Sequence, residues 1–397
     1  MVTISKTREL IDELRMGHMI IIMDDENREN EGDVICPAQF ATLEHVNFMA
    51  AHARGLICMP MSKEYVEKLG LSPMCAVNKD NHETAFTQSI DHVSTTTGIS
   101  SYERSVTAMR AVTDSKEDFR TPGHMFPLAA KDGGVLVRNG HTEATVDFMK
   151  LAGLEPIGLC CEIIKDDGMM ARKEDLLSFA HKHQLKVGTI EDLILYRKNT
   201  EKYMEIAAKA LLPTKYGDFT MYGFRNPYTK QEQVALVMGD IASKENVLCR
   251  VHSECLTGDS FGSRRCDCGE QYEAAMKEIA KEKCGVQIYL RQEGRGIGLL
   301  NKIKAYELQD LGFDTVDANI KLGFEADLRD YSDAAQMLRA LGVQSVTLMT
   351  NNKEKEDGLE SYGIPVTKRI PIQIEANKNN LFYLKTKMER MGHIVNY

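Results

Sequence analysis

One ten-residue stretch combines many carboxylates with a cation. Residues 24–33, DDENRENEGD, contain six acidic side chains and Arg28, and they follow the apolar run MIIIM at 19–23. A solvated loop is the ordinary explanation of such a charge run. The position directly after a predicted buried strand also favours a functional loop, because binding and catalytic groups collect where strands end.

Three further segments carry groups of the same kind. RNGHTEA (138–144) holds His141, and DFRTPGHMFP (118–127) holds His124 in a turn constrained by a Pro-Gly pair. Glu162 lies in the apolar run GLCCEII, where an ionisable group is costly without a partner. Carboxylates and imidazole are ligands for Mg²⁺ or Mn²⁺, and arginine matches phosphate. Jointly the segments indicate metal-assisted enolisation of a sugar phosphate, although each residue alone is better explained as a surface turn or buried ion pair.

The motifs DDENRENEGD, FTQSIDHVSTTTGIS, DFRTPGHMFPL, RNGHTEATVDFMKLAGL and CEIIKDDGMMAR together resemble the 3,4-dihydroxy-2-butanone 4-phosphate synthase family over residues 1–200. The resemblance implies conversion of ribulose 5-phosphate to dihydroxybutanone phosphate and formate. It implies that Glu29 and His141 hold Mg²⁺ or Mn²⁺ and that His124 and Glu162 are needed for catalysis. The implied sugar-phosphate contacts are Arg28, Glu29, Asp33, Arg138, Asn139, Gly140, His141, Thr142 and Glu162.

Other residues of the acidic loop are expected to support these groups. Asp25 and Glu26 are expected in the second layer around the metal or in proton transfer. Gly32 is expected to let the loop backbone turn tightly, because glycine tolerates conformations that other residues avoid.

A second cluster of potential ligands lies further along the chain. Cys255, Cys266 and Cys268 have the spacing C-x10-C-x-C. Three thiolates suit a catalytic zinc, whose open coordination position activates water. A structural zinc with His252 or Cys249 as the fourth ligand is the alternative, and ten cysteines can also cluster by chance.

A glycine-rich turn, QEGRGIG (292–298), follows the predicted strand VQIYLR and opens a predicted helix. Glycines before a helix N-terminus can cradle phosphate, but Leu299 replaces the third glycine of a dinucleotide fingerprint. Tyr306 shares a helical stripe with Leu299 and Ile303, which by itself is typical of core packing.

These segments, with LPTKYGDFTMYGF, LGFEADLRDY and LMTNNKEK, resemble GTP cyclohydrolase II over residues 205–370. The resemblance implies zinc on the three cysteines, Asp327 as proton acceptor, Arg329 as nucleophile and Tyr306 in ring opening. Because a guanidinium stays protonated, an electrostatic clamp on phosphate is the alternative role for Arg329. The implied GTP contacts are Arg250, Val251, His252, Ser253, Glu254, Gln271, Glu293, Gly294, Arg295, Thr315, Thr350 and Lys355.

The elements that must position these groups are short apolar runs alternating with amphipathic stretches. This pattern predicts an α+β fold of two domains, each a mixed β-sheet covered by helices. We place the synthase-like domain at 1–200 and the cyclohydrolase-like domain at 201–397. Predicted strands are 19–23, 134–138, 157–164, 234–239, 285–291 and 345–350, and predicted helices are 174–183, 191–197, 271–283, 298–311 and 332–341.

Composition limits the function classes. The net charge of −9 argues against a nucleic-acid or membrane-surface binder, and no apolar run is long enough to span a membrane. The N-terminus has an amphipathic helix pattern instead of a signal peptide, and the scattered cysteines favour reduced thiols in the cytoplasm. We therefore expect a cytoplasmic enzyme, as a homodimer, acting on ribulose 5-phosphate and GTP. A zinc-dependent binding module and a chain with one active half are the alternatives.

Overall fold

The computed structural model describes residues 3–325, 327–377, 379–381, 384, 388 and 390. The chain forms two compact units, Met1–Arg197 and Lys198–Tyr397. Each unit contains, in its described part, a mixed sheet of seven strands with helices packed on it. The predicted two-domain α+β fold is therefore confirmed. Among the described residues, no helix is long and apolar enough to cross a membrane.

The sheet of the first unit has the strand order β4-β5-β3-β6-β2-β1-β7. The β1/β7 and β3/β5 pairs are parallel and the other pairs are antiparallel. The strands are β1 Ile20–Met23, β2 Gly32–Pro37, β3 Cys58–Met61, β4 Ile90–His92, β5 Phe119–Ala129, β6 Gly158–Glu162 and β7 Lys186–Thr189. The helices are α1 Thr7–Arg15, α2 Leu43–Phe48, α3 Lys63–Lys68, α4 Ser101–Thr113, α5 His141–Leu151, α6 Lys173–His183 and α7 Ile190–Thr200.

Both faces of this sheet are buried. Ile21 belongs to the hydrophobic cluster on one face, whereas Ile20 and Ile22 belong to the cluster on the other. Alternating side chains of a strand point to opposite faces, so a run of four buried residues is the pattern of a strand covered on both sides. This burial fixes the register and hence the place where the acidic loop begins.

The predicted strand 134–138 is wrong. Gly134–Leu136 forms a turn of 3-10 helix, because Gly133 and Gly134 have φ of 91° and 61° and the Val135 N–H donates to Asp147 Oδ2 at 2.8 Å. A chain with two consecutive positive φ values turns instead of extending. RNGHTEA therefore follows a turn and leads directly into α5.

The role expected of Gly32 is also wrong. Asn30, with φ of 55°, takes the left-handed conformation in the acidic loop. Gly32 begins β2, and a Cβ there would lie 2.6 Å from Leu176 Cδ1. Glycine at this position thus makes room for a helix side chain and does not serve a tight turn.

The sheet of the second unit has the order β14-β13-β11-β12-β10-β9-β8, antiparallel from β12 through β10 and β9 to β8 and parallel elsewhere. Its strands are β8 Glu205–Thr214, β9 Gly217–Arg225, β10 Glu232–Met238, β11 Val247–Ser253, β12 Gly285–Leu290, β13 Val346–Met349 and β14 Val366–Ile370. Its helices are α8 Leu256–Asp259, α9 Cys268–Glu282, α10 Leu299–Asp310, α11 Thr315–Lys321, α12 Ser332–Ala340 and α13 Lys353–Ser361.

Candidate active sites

The acidic loop of the first unit is organised by a carboxylate that sequence reasoning did not single out. Asp24, whose side chain is fully buried, accepts hydrogen bonds from the backbone N–H groups of Glu29 at 3.1 Å and Glu31 at 2.8 Å. It also accepts a bond from Arg28 Nη1 at 2.9 Å. Asp25 is exposed by contrast. Asp24 thereby shapes the loop and orients Glu29.

Asp24, Glu29 and His141 offer one ligand atom each within 4.8 Å of one another. His141 begins α5, and its Nε2–H donates to the Ile22 carbonyl at 3.2 Å. This bond leaves Nδ1, 3.7 Å from Glu29 Oε2, as the nitrogen with a free lone pair. Two carboxylates and one imidazole form a donor set that fits Mg²⁺ or Mn²⁺.

The pKa values of His141 and Glu29 show which charges the pocket stabilises. Burial lowers the pKa of His141, but the charge of Asp33 and the contact with Glu29 outweigh burial and raise this pKa to about 9. Burial raises the pKa of Glu29, but His141 and Arg28 together lower it to about 2. The pocket therefore favours a positive charge at this position, and a bound cation takes the place of the proton that the raised pKa puts on His141 Nδ1, because only a neutral imidazole ligates a metal.

Strand register places two more carboxyl groups beside this cluster, at the same end of the strands. Asp33 in β2 lies opposite Glu162 in β6, and burial raises the pKa of Asp33. Asp33 Oδ1 lies 3.7 Å from His141 Nε2. The Glu162 carboxylate accepts a hydrogen bond from the Leu56 N–H at 2.8 Å. Glu162 is thus held by backbone and not by a salt bridge within the described residues, which leaves it suited to proton transfer.

Two arginines converge on the N-terminus of α5. A Cβ on Gly140 would lie 2.3 Å from Arg138 Nη1 and 2.9 Å from Arg28 Nη2. Glycine is therefore the residue that lets both guanidinium groups approach the helix start, where backbone N–H groups favour an anion. Asn139 and Thr142 flank this point, so the predicted phosphate contacts lie together.

His124 lies in β5, two residues before Phe126, which pairs with Cys58 of β3. Leu56, whose N–H bonds to Glu162, lies two residues before Cys58, in the segment that leads into the neighbouring strand β3. The register therefore brings His124 to the same end of the strands as Glu162. Its ring Nδ1 lies 2.7 Å from Asp91 Oδ2 in β4.

In the second unit, the three predicted cysteines come together. The Sγ atoms of Cys255, Cys266 and Cys268 lie within 4.8 Å of one another at the start of α8 and α9. A set of three thiolates fits zinc. His252 is not a fourth ligand of this group, because its ring nitrogens do not lie within 4.8 Å of all three sulfur atoms. Its Nε2 bonds to Asp259 at 3.0 Å.

The cysteines face a cavity that also gathers the predicted GTP contacts. Only Val251 of that set lies outside it; its side chain points to the opposite face of β11, and its carbonyl accepts a bond from Lys355 Nζ at 2.8 Å. The predicted residues lining the cavity are Arg250, His252, Ser253, Glu254, Cys255, Cys266, Cys268, Gln271, Glu293, Gly294, Arg295, Tyr306, Thr315, Arg329, Thr350 and Lys355. Asparagines at 319, 351 and 352 and Lys302 line it as well and were not predicted.

Several cavity residues are tied to the thiolate cluster. Lys302 Nζ lies 3.1 Å from Cys255 Sγ and 2.7 Å from Glu293 Oε1. The Tyr306 hydroxyl lies 3.3 Å from Thr257 Oγ1. The helical stripe suggested a core role for Tyr306, but Ile303 on that stripe is 45% exposed and Tyr306 lines the cavity.

Arg329 is held by Asp327. Arg329 Nε lies 2.8 Å and 3.0 Å from the two Asp327 oxygens, and its Nη2 also bonds to Oδ2. Burial raises the pKa of Asp327, but the bonds from Arg329 hold it below its usual value. Asp327 is therefore ionised at neutral pH and holds Arg329 by charge as well as by hydrogen bonds.

The described residues thus form two separate sheets. One carries an oxygen-rich candidate cation pocket, and the other carries a thiolate cluster in a cavity lined by cationic residues, which is the architecture of a two-domain protein with two candidate metal sites. The family model for 3,4-dihydroxy-2-butanone 4-phosphate synthase matches residues 8–196, and the model for GTP cyclohydrolase II matches residues 205–371. The chain therefore belongs to the family of bifunctional riboflavin biosynthesis proteins that join these two domains.

Curated relatives match nearly the whole length. The chain is 53% identical to the riboflavin biosynthesis protein RibBA of Bacillus cereus and 53% identical to that of Bacillus mycoides, in each case over 98% of this chain and 99% of the relative. The crystal structure of RibBX, a two-domain 3,4-dihydroxy-2-butanone 4-phosphate synthase from A. baumannii, matches with a TM-score of 0.69 and 35% identity. That match covers 94% of this chain and 100% of the other.

Proposed function

We propose that the first unit converts D-ribulose 5-phosphate to 3,4-dihydroxy-2-butanone 4-phosphate and formate, which is a lyase reaction. The second unit converts GTP to 2,5-diamino-6-(5-phosphoribosylamino)pyrimidin-4(3H)-one, formate and pyrophosphate, which is a hydrolase reaction. The observation that carries the proposal is the presence of both ligand clusters on one chain, oxygen-rich in one unit and thiolate in the other.

In the first unit, Glu29 and His141 hold Mg²⁺ or Mn²⁺, with Asp24 beside them. When bound, the ion stabilises negative charge on the sugar oxygens. Arg28 and Arg138 bind the phosphate at the α5 N-terminus. Glu162 removes a proton from the sugar carbon, since its carboxylate lies at the end of β6 beside the ligand cluster.

His124 exchanges protons with the sugar hydroxyls in this scheme. Its side chain is 43% exposed, so a substrate can reach the ring. Asp33 lies 3.7 Å from His141 and pairs with Glu162 in the strand ladder, and its raised pKa lets it hold a proton at this point of the site. The remaining predicted contacts, Asn139 and Thr142, position the sugar phosphate.

In the second unit, Cys255, Cys266 and Cys268 hold zinc. When bound, zinc activates water for attack on the imidazole ring of the base. The triphosphate binds among buried cations, as supported by Arg250 and Lys355, which are each 5% exposed and line the cavity.

Two groups of the second unit act on the substrate directly. Arg329 attacks the α-phosphorus, the bond to the β-phosphate oxygen breaks and pyrophosphate leaves, Asp327 accepts the proton of the guanidine nitrogen, and water then hydrolyses the P–N bond. The three side-chain hydrogen bonds between Arg329 and Asp327 support this pairing. Tyr306 donates a proton during ring opening, and burial raises the pKa of its phenol, which keeps the proton available. The homodimer and the cytoplasmic location stay predictions.

A chain with one active half is the second candidate, because the matching A. baumannii protein is described by one activity across its two domains. Product analysis separates the two cases. The chain, loaded with Mg²⁺ and Zn²⁺, is supplied with ribulose 5-phosphate and with GTP in separate reactions, and formate and pyrophosphate are quantified. We expect formate from both substrates and pyrophosphate from GTP alone. Formate from only one substrate would establish the one-active-half alternative.

A further inference from the structure

The segment FTQSIDHVSTTTGIS is one of the motifs that resemble the synthase family, but none of its residues has a role in the proposed synthase reaction. The structure places it against the segment that carries His124. Asp91 Oδ2 lies 2.7 Å from His124 Nδ1, and Asp91 Oδ1 accepts the His124 backbone N–H at 2.9 Å. Both oxygens of one carboxylate, itself only 6% exposed, are therefore committed to a single histidine.

The strand pairing explains how His124 reaches this carboxylate. In the β4/β5 ladder, Ile90 pairs with Met125 and Asp91 pairs with Arg120, so the residues between them bulge out of β5. Gly123 packs directly on β4, where a Cβ would lie 2.0 Å from the Ile90 carbonyl carbon. A bulge of this kind re-aims a side chain that a regular strand would point elsewhere.

The loop that follows β4 holds Asp91 from the other side. Gly98 has φ of 87°, and a Cβ there would lie 2.1 Å from Asp91 Oδ2. Arg120 clamps the same loop, because its Nη2 donates to the Thr95 carbonyl at 2.8 Å and to Thr95 Oγ1 at 2.9 Å.

Glu103 fixes the rest of this loop. Its carboxylate accepts bonds from the Thr96 N–H at 2.6 Å, the Gly98 N–H at 3.2 Å and the Ser100 hydroxyl at 3.0 Å. A loop with several donors bonded to one buried carboxylate is a rigid wall behind Asp91.

We propose that Asp91, backed by the loop that Glu103 closes, is the positioning residue of His124 and sets its tautomer. Because a carboxylate only accepts hydrogen bonds, Asp91 places the ring proton of neutral His124 on Nδ1. The lone pair of Nε2 is then presented to the sugar hydroxyls. This inference rests on the proposed role of His124 in the synthase reaction.

The substitution Asp91→Asn tests whether Asp91 orients the His124 ring or only packs against it. The asparagine side chain has a single oxygen, so it cannot accept from both His124 donors. If that oxygen takes the backbone N–H, the amide NH₂ faces Nδ1 and drives the ring proton to Nε2. If the oxygen takes Nδ1–H, the backbone N–H is left facing a donor.

The test uses the full chain with Mg²⁺ and Zn²⁺ and the variants Asp91→Asn, Asp91→Glu and His124→Asn. The matched control is Asp114→Asn, because Asp114 pairs at 3.2 Å with His92, a neighbouring histidine that has no role in the scheme. Two-bond ¹⁵N–¹H correlation spectra of histidine-labelled protein report which nitrogen of His124 carries the proton. The His124 signal is assigned by its absence in His124→Asn.

We expect wild-type His124 to carry its proton on Nδ1. In Asp91→Asn we expect that proton on Nε2 and kcat for ribulose 5-phosphate lower by at least about tenfold, as for other carboxylates that orient an imidazole, with KM nearly unchanged. Asp91→Glu should recover part of kcat, and Asp114→Asn should change neither readout. Formate release from GTP should be the same in all variants.

Three results would overturn the inference. They are an Nε2–H tautomer in the wild-type chain, wild-type kcat in Asp91→Asn, and an equal loss in Asp114→Asn. Where Asp91→Asn does not fold, Glu103→Gln serves instead, and it should lower kcat in the same direction without changing KM. Wild-type kcat in His124→Asn would be a failure of the proposed function, and the tautomer spectrum would still decide whether Asp91 orients the ring.

Discussion

Replacing Gly55 with alanine should displace Glu162, the proposed proton-transfer group, without changing its side chain. A Cβ on Gly55 would lie 2.4 Å from Glu162 Oε2, 2.5 Å from the Glu162 carbonyl oxygen and 2.7 Å from its backbone nitrogen. Real side chains do not tolerate such distances, so both the carboxylate and the backbone of Glu162 must move. Gly55 has no positive φ, so crowding is the main effect of the substitution.

The size of the effect follows from the bond that is lost. The displaced carboxylate gives up the hydrogen bond from the Leu56 N–H, which measures 2.8 Å. A hydrogen bond to a charged group is worth roughly 1.5–3 kcal/mol. If this loss falls on the transition state, kcat for ribulose 5-phosphate should drop roughly 10- to 150-fold at about 1.36 kcal/mol per factor of ten.

The assay is formate release from ribulose 5-phosphate with Mg²⁺, and GTP turnover by the same chain is the internal reference. Gly188→Ala is the matched control, because its Cβ would crowd Leu10 at 2.2 Å at the far edge of the same sheet. Thermal unfolding measures the loss of stability in each variant, on the order of 1–3 kcal/mol for overpacking. The loss should be larger in Gly55→Ala, because its Cβ meets backbone atoms whereas that of Gly188→Ala meets the end of a leucine side chain.

A double-mutant cycle completes the test. If Gly55→Ala acts through Glu162, the double variant Gly55→Ala/Glu162→Gln should be no slower than Glu162→Gln alone. Wild-type kcat in Gly55→Ala, or fully additive losses in the double variant, would refute the reasoning.

Three further predictions concern other parts of the chain. Cys268→Ser should lower bound zinc, measured by metal analysis, and stop formate release from GTP; full zinc with normal formate release would contradict it. Arg329→Lys and Asp327→Asn should both fail to release pyrophosphate from GTP, whereas appreciable release by Arg329→Lys would favour an electrostatic clamp. Hydrogen bonds, first of all from Thr96, lower the pKa of Glu103 to about 2 from its usual 4.5. The stabilisation from this group is therefore present above pH 4.5 and lost as the pH falls towards 2, and the urea midpoints of wild type and Glu103→Gln should converge over that range. A constant difference between the midpoints would show that the carboxylate is not held in this way.

Much of the fold was predictable because burial on one or both faces leaves a periodic trace in the sequence. The run 19–23 is β1, Ile20–Met23, and the helix predicted at 332–341 is α12, Ser332–Ala340. Residues 134–138 failed because their apolar composition matches a strand, while the two positive φ values that make a turn depend on Asp147 in a later helix. Composition alone does not record that long-range bond.

The candidate sites show the same division. The cysteine cluster was predictable, because its three members are close in sequence and their spacing is distinctive. Asp24 was not, because it is one of six acids in a loop and only the fold reveals that its carboxylate is buried against the loop backbone. Asp91 was not, because its partner His124 lies 33 residues away.

The most direct test of two independent active sites on one chain is formate release by His141→Ala, measured separately with ribulose 5-phosphate and with GTP. His141 lies in the ligand cluster of the first unit and makes its polar contacts there. We predict no formate from ribulose 5-phosphate and wild-type formate release from GTP. Equal loss with both substrates in a folded protein, or wild-type formate release from ribulose 5-phosphate, would contradict the two-site assignment.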